Sequence, residues 1–207
     1  MSIVGPSRVF VDSNVLYSRT LRDWLGLLSL EGSTPAFVVC WSEDVMAEVL
    51  YHLRRDNPGW PGHKIRAVRD RIAGFFEGGR VEEFEVDGSY RGKDTHDAHV
   101  HAAATACRAD YLLTVNVNDF DDRDTSYEVI DPDAFFVLIH AAAPAHVESV
   151  TREQMRYWAN KRDEAQLPEY LDAAGCPQFA ELVRRVQARI GGIPWVAGAS
   201  REDARSD

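Results

Sequence analysis

The stretch that decides the fold is RVFVD, residues 8 to 12, in which a short apolar run ends at an aspartate. The run AFVVCW, residues 36 to 41, ends at Ser42 in the same manner. YLLTV, residues 111 to 115, and YEVI, residues 127 to 130, have a similar composition. Short apolar runs bounded by polar or turn-forming residues predict buried strands. Because helical patterns alternate with these runs, we expect an α/β fold with a parallel sheet flanked by helices.

The helix boundaries are marked by capping residues and by glycine and proline. Ser42 and Thr95 are suitable N-caps, and Pro132 fits the first turn of a helix. Glycine and proline residues between 59 and 62, and two glycines at 78 and 79, separate the helical patterns. We therefore predict helices over residues 43–55, 63–77, 96–108 and 132–140.

Beyond residue 143 the strand signals stop and only helical patterns follow. We therefore divide the chain into a sheet-containing domain over residues 1 to 143, a helical extension over residues 144 to 195, and a disordered tail over residues 196 to 207. The tail is rich in small and polar residues and has no apolar periodicity. The extension is predicted to contain helices over residues 151–161, 168–174 and 179–190.

The apolar content of the chain predicts one hydrophobic core. Of the 207 residues, 45% are hydrophobic, which suffices for one good-sized core but makes two full domains implausible. Cys40, Cys107 and Cys176 are too few and too widely spaced for a disulfide framework or a metal site, so we expect them in the core. The apolar face that includes Phe179, Leu182 and Val183 either packs on this core or contacts a partner, and we favour the core.

The charge of the chain is unevenly distributed. Its formal net charge of -10 argues against undirected nucleic-acid binding, which depends on Lys and Arg. Residues 52 to 71 nevertheless contain six basic residues against two acidic ones. This segment either guides a polyanion toward the protein or is an ordinary solvated helix face. Since neither a signal peptide nor a membrane span is evident, we expect a cytosolic protein.

Four carboxylates occupy positions that a parallel sheet would bring together. Asp12 and Asp119 follow predicted strands, and Asp97 lies one helical turn before Val100 on a largely apolar helix face. Glu48 lies at the edge of the buried stripe of the helix after the second strand. Taken singly, each carboxylate has an ordinary explanation as a turn residue, a surface ion-pair partner, a helix-terminal charge or a polar loop residue.

Taken together, the four carboxylates predict a cation site. Carboxylates that crowd together raise one another's pKa sharply unless a cation lies between them. Oxygen ligands without cysteine suit a hard ion such as Mg²⁺ or Mn²⁺. Such an ion binds phosphate oxygens and lowers the pKa of a bound water, so the expected chemistry is phosphodiester hydrolysis.

The motifs around these carboxylates resemble those of PIN-domain nucleases, most closely the VapC-type toxins of bacterial toxin–antitoxin pairs. The resemblance covers roughly residues 7 to 140, and residues 151 to 190 are similar to a helical extension found in one branch of that family. Each motif is weak alone, but four in the expected order are specific. The motifs are VFVDSNVL (residues 9–16), WS (residues 41–42) with Glu48, DTHDAHV (residues 94–100) before an alanine run, and TVNVNDF (residues 114–120).

The resemblance implies a PIN-like, doubly wound parallel sheet and an endoribonuclease that uses Mg²⁺ or Mn²⁺. Carried over to this sequence, Asp12 and Asp97 would be the principal metal ligands. Glu48 would complete the ligand set or orient water. Asp119 would hold a second metal ion or a metal-bound water.

Further polar residues belong to the implied site. Asn14 and Asn116 stand where family members often carry Asn, Ser, Thr or Asp, and they would be supporting hydrogen-bonding residues. Asp121, Asp122 and Asp124 follow the fourth motif closely and are alternative candidates for the fourth ligand. The resemblance also implies an RNA substrate, a homodimer, and a VapB-type antitoxin that binds DNA through its own N-terminal part.

Two other functions are weighed against this one. The dipeptide His96-Asp97, with His99 and His101 nearby, invites comparison with HD-type metal phosphohydrolases, but that fold is all-helical and leaves the apolar strands unexplained. The second is a PIN-fold scaffold that binds RNA or protein without catalysis. Such a scaffold has no use for four carboxylates at one site.

Overall fold

The computed structural model describes residues 6–31, 34–120, 125–159 and 167–191. In chain order, the strands are β1 (Ser7–Val11), β2 (Leu30–Glu31), β3 (Thr34–Pro35), β4 (Phe37–Ser42), β5 (Arg80–Val81), β6 (Tyr111–Leu113) and β7 (Glu128–Ile130). The α-helices are α1 (Ser13–Tyr17), α2 (Arg19–Ser29), α3 (Glu43–Asp56), α4 (Gly62–Phe75), α5 (Ala98–Ala106), α6 (Pro132–Ala142), α7 (Pro144–Ala159), α8 (Leu167–Ala173) and α9 (Pro177–Ile190). Short 3-10 turns cover Glu77–Gly79, Thr95–Asp97 and Val117–Asp119.

The main sheet confirms the predicted α/β class. Within the described residues, five parallel strands pair in the order β5-β4-β1-β6-β7, and β2 and β3 form a separate antiparallel pair. Val9 of β1 pairs with Val39 on one side and Tyr111 on the other. The chain adds β4 and β5 on one side of β1 and then β6 and β7 on the other, so the winding reverses between β1 and β6. In open parallel sheets, ligands bind at the carboxyl ends of the strands beside such a reversal.

The predicted strand and helix positions agree with most of the elements, and an all-helical HD-type fold is incompatible with them. Ser42 caps α3, since its side chain accepts a hydrogen bond from the Val45 N–H. Pro132 lies in the first turn of α6, where Asp131 is the N-cap. The interpretation of Thr95 as an N-cap is wrong. Residues 95 to 97 form a 3-10 turn that Asp94 caps through the His96 N–H, and α5 begins only at Ala98.

Two regions carry elements that the sequence patterns do not predict. No helix is predicted over residues 13 to 29, where α1 and α2 lie. The helix α1 has five residues and Ser18 immediately caps the next helix, so the apolar spacing is interrupted. The strand β5 has two residues, too few for a periodic pattern.

The helices after residue 143 pack against the sheet-containing part through a shared hydrophobic core. Phe179 and Val183 are fully buried, which confirms the predicted intramolecular packing. The Phe179 ring contacts Trp24 and Phe136, each at a centroid distance of 5.1 Å. The Asp133 carboxylate accepts a hydrogen bond from the Phe179 backbone N–H at 2.8 Å and so joins α9 to α6. The predicted tail, residues 196 to 207, lies outside the described residues.

The three cysteines are buried and unpaired, as the core assignment predicts. Among the described residues, no single helix is long and apolar enough to cross a membrane. The helices α6 and α7 pass that test only as a pair bent by 115°.

A close approach between the turn before β5 and the strand β4 generates a stability prediction. A Cβ atom on Gly79 would lie 1.7 Å from the Val39 carbonyl oxygen, whereas one on Gly78 would meet no atom within 4 Å. The clash is with backbone, which cannot move aside as a side chain can. We therefore expect Gly79→Ala to lower the free energy of unfolding by about 1–3 kcal/mol or more. Gly78→Ala should change it by less than about 0.5 kcal/mol. Urea denaturation of both variants checks this, and equal stabilities would contradict the close approach.

Candidate metal-binding site

The Asp12 side chain lies at the carboxyl end of β1, beside the reversal of the sheet. It is only 5% exposed. Its Oδ1 accepts a hydrogen bond from the Ser13 N–H at 2.5 Å, and its Oδ2 accepts bonds from Thr114 Oγ1 and Asn14 Nδ2, both at 2.7 Å. Burial raises the pKa of Asp12 and outweighs these hydrogen bonds, which lower it. Asp12 therefore caps α1, as an ordinary turn residue would, but it also carries a costly buried carboxyl group.

Thr114 joins the two strands at this point and is a site residue that the sequence analysis missed. Its fully buried hydroxyl donates to Asp12 and accepts from Asn14 Nδ2 and from the Asn116 N–H, both at 3.1 Å. Asn14 Oδ1 accepts a hydrogen bond from the Val115 N–H at 3.1 Å. Asn14 thus supports the site through its side chain, and Asn116 does so through its backbone. Threonine is common in strands, so a threonine directly after a buried strand does not indicate a polar role from the sequence alone.

Glu48 reaches the same edge of the sheet from α3. Its Oε1 lies 2.9 Å from His99 Nε2 on α5. The bond with His99 lowers the pKa of Glu48 and raises the pKa of His99, as expected for an ion pair. His101 lies on another face of α5, where it bonds to Ser89 and Tyr127. His99 therefore positions Glu48, a role that a lone histidine in a sequence does not reveal.

Asp97 lies in the 3-10 turn before α5 and is partly buried. Its pKa is raised to about 6, first by burial and then by the negative charges of Asp12, Asp94, Glu48 and Asp119. The structure thus brings the other three predicted carboxylates, Asp12, Glu48 and Asp119, within electrostatic reach of Asp97. Asp94 is a fifth carboxylate near the site, and its side chain also caps the turn through the His96 N–H at 2.9 Å.

Asp119 is held by backbone contacts with the segment before α5. Its carbonyl oxygen accepts hydrogen bonds from the Tyr90 hydroxyl at 3.0 Å and from the Lys93 N–H at 2.9 Å. A Cβ atom on Gly92 would lie 2.3 Å from that oxygen, so the segment approaches closely. The predicted alternatives to Asp119, namely Asp121, Asp122 and Asp124, lie outside the described residues.

The donor chemistry of this site fits Mg²⁺ or Mn²⁺, which prefer carboxylate oxygens. Over the described ranges, however, no three His, Cys, Asp or Glu side chains are close enough together to hold an ion in their present positions. Mg²⁺ usually keeps several waters and needs only one or two direct carboxylates, so Asp12 and Asp97 would suffice with the others acting through water.

No protein-family model, curated protein or solved structure matches this chain significantly. By its fold, the chain is an α/β protein whose parallel sheet reverses its winding between β1 and β6, with acidic side chains beside that reversal. The likeness to PIN-domain nucleases is supported by the four motifs alone.

The raised pKa of Asp97 predicts that the metal-free protein becomes more stable when this carboxylate is replaced by a neutral side chain. Its pKa is 3.8 in the unfolded chain and about 6 in the folded one, so this carboxyl group favours folding below pH 3.8 and loses that contribution as the pH rises through about 6. We expect Asp97→Asn to stabilise the metal-free protein at pH 7.5 by about 1 kcal/mol, after allowance for solvent screening. The gain should be smaller at pH 4.5.

Urea denaturation in EDTA at the two pH values measures this difference. Glu128→Gln is a matched control, since Glu128 is exposed at the first residue of β7, at the opposite end of the sheet. It should change stability little at either pH. A loss of several kcal/mol on Asp97→Asn would instead show that Asp97 belongs to a buried structural network.

The Thr114 hydroxyl should be essential for holding the Asp12 carboxylate in the interior. Thr114→Val keeps the side-chain volume but removes the donor, so we expect it to lower the free energy of unfolding at pH 7 by about 1–3 kcal/mol. Thr114→Ser retains the hydroxyl and should cost less, despite the lost methyl group. Thermal and urea unfolding of both variants test this, and a larger loss for the serine variant would disprove the role of the hydroxyl.

Proposed function

We propose that this protein is a metal-dependent endoribonuclease of the PIN-domain type, which uses Mg²⁺ or Mn²⁺ to hydrolyse RNA phosphodiester bonds. The observation that carries the proposal is the buried Asp12 carboxylate at the carboxyl end of β1, beside the sheet reversal, where Thr114 and Asn14 donate hydrogen bonds to it. The raised pKa of Asp97, caused by burial and then by neighbouring carboxylates, is consistent with it. Clustered carboxylates destabilise a fold because like charges repel. Their presence at one place therefore indicates a functional role. Binding a hard cation is the purpose that fits their oxygen chemistry and their place beside the sheet reversal.

In this proposal Asp12 and Asp97 hold the ion, and Glu48 and Asp119 act on it directly or through water. A bound divalent ion would neutralise charge that develops at phosphorus and would lower the pKa of a water. Thr114 and Asn14 favour the ionised form of Asp12 by donating to its Oδ2. His99 orients the Glu48 carboxylate through its Nε2 atom. These contacts orient the carboxylates and partly offset the effect of burial on the pKa of Asp12.

The likeness of the four motifs to VapC-type toxins extends the proposal to a biological role. We propose a cytoplasmic toxin that acts as a homodimer and is neutralised by a VapB-type antitoxin, whose C-terminal segment would cover the candidate metal-binding site. Contact with DNA would then be indirect, through the N-terminal part of the antitoxin. The support for this role is the resemblance of the motifs.

The proposal predicts RNA cleavage that depends on added Mg²⁺ or Mn²⁺ and stops with EDTA. Asp12→Asn and Asp97→Asn should each lower the cleavage rate at least about a hundredfold, because each removes a charge that holds the ion and so loses several kcal/mol of transition-state stabilisation. The measurement is the single-turnover cleavage rate of a labelled structured RNA, with the circular dichroism of each variant compared with that of the unmodified protein.

Glu128→Gln is again the control, because it removes a carboxylate from the far end of the sheet and should leave the rate unchanged. Cleavage that survives the double variant Asp12→Asn plus Asp97→Asn would reject the proposed site. RNA binding without metal-dependent cleavage by the unmodified chain would favour the catalytically silent scaffold.

A further inference from the structure

Residues 51 to 71, which cover the C-terminal part of α3 and most of α4, form a basic segment in an otherwise acidic chain. Residues 51 to 71 carry six Arg and Lys side chains against two Asp, within a chain of net charge -10. Several of these cations are exposed on the surface, among them Arg54, Arg55, Lys64 and Arg66. We call this surface the basic hairpin. A field of this sign attracts a polyanion toward one end of an otherwise acidic protein.

Aromatic rings alternate with the cations on the basic hairpin. Tyr51 is 64% exposed, and the Arg55 guanidinium lies 5.9 Å from its ring centroid. Half-buried Trp60 carries the Lys64 ammonium at 3.7 Å from its ring centroid. Among the described residues, Tyr51 is the most exposed of the large hydrophobic side chains, and it lies next to a cation. Cations beside accessible rings are the features that bind unpaired nucleic acid, because bases stack on rings while phosphates pair with the cations.

The basic hairpin is connected to the acidic site along α3. Glu48 is followed on the same helix by Tyr51, His52 and Arg55, which lie one to two helical turns further along. The rise from Glu48 to Arg55 is about 10 Å. The His52 ring lies between Tyr51, at 5.4 Å, and Tyr17 of α1, at 6.0 Å. The rise corresponds to about three stacked nucleotides at about 3.4 Å each. A strand held on the hairpin can therefore extend to the carboxylates.

The acidic site itself repels RNA, so attraction must come from elsewhere on the surface. The Arg55 guanidinium is paired with Asp56 at 2.8 Å, and that carboxylate also accepts a bond from the Tyr17 hydroxyl. Because both partners of the Arg55–Asp56 pair are largely exposed, the pair is weak, and a phosphate can take the place of the carboxylate.

We propose that the basic hairpin docks an unpaired segment of RNA, with a base stacked on Tyr51 and the neighbouring phosphates on Arg55 and the other exposed cations. The identification of the polyanion as RNA rests on the proposed function. The docking itself rests on the charge and on the exposed ring. The segment is single-stranded, since bases within a duplex cannot stack on a side chain.

The test is the affinity of the full chain for a fluorescein-labelled single-stranded RNA, measured by fluorescence anisotropy in EDTA so that metal-dependent cleavage does not occur. Tyr51→Ala should weaken binding about tenfold through the lost stacking, and Tyr51→Phe should retain most of the affinity. Arg55→Ala should weaken binding and reduce the slope of log affinity against log salt by about one. A fully paired RNA should bind more weakly than the single strand and be insensitive to Tyr51→Ala.

Two matched controls lie outside the hairpin. Tyr170→Ala removes another exposed aromatic ring from α8, and Arg185→Ala removes an exposed cation from α9; neither should alter RNA affinity. Thermal unfolding of every variant verifies the fold. Unchanged affinity in Tyr51→Ala and Arg55→Ala, or equal losses in the controls, would overturn the docking surface. If Tyr51→Ala weakens binding but the unmodified chain never cleaves RNA with metal, the docking surface stands and the nuclease function fails.

Discussion

The hydrogen bonds around the Asp12 carboxylate are the contacts on which the acidic site depends. A carboxyl group at the end of a central strand is expensive to bury, and here its two oxygens receive bonds from Ser13, Asn14 and Thr114. These donors come from α1 and from the end of β6, so the same contacts join the two strands at which the sheet reverses. The arrangement holds a polar group in the interior at the carboxyl end of β1, which is the edge of the sheet where ligands of such folds bind.

The other carboxylates make that position electrostatically unfavourable in the absence of positive charge. The pKa of Asp97 is raised to about 6, first by burial and then by the neighbouring carboxylates, whereas the bond with His99 lowers the pKa of Glu48. A site with this distribution gains more from a cation than a neutral site would. Stability and function therefore oppose each other here, because neutralising Asp97 relieves the fold while removing a proposed ligand.

Positive and negative charges are also separated over the surface of the protein, with the acidic site and the basic hairpin at different places. An acidic site cannot attract RNA by itself, and a net charge of -10 makes the whole chain a poor partner for phosphate. The basic hairpin concentrates positive charge and an exposed ring about two helical turns from Glu48, on the helix that carries it. Because Glu48 and the basic hairpin are close together along α3, one molecule can combine attraction for the RNA backbone with carboxylates at the proposed reaction centre.

By itself the sequence determined the parallel strands and most of the helices, because burial on both faces requires continuous apolar runs and because Ser42 and Pro132 mark helix starts through local chemistry. It also identified the four carboxylates as candidates. Only the tertiary structure decided how they are supported, since Thr114 meets Asp12 across 102 positions and His99 meets Glu48 across 51. The two-residue strand β5 and the 3-10 turn before α5 likewise depend on packing, because segments so short carry no periodicity. Local patterns reveal which residues are buried or capped, whereas the partner of a polar side chain is set by the folded chain.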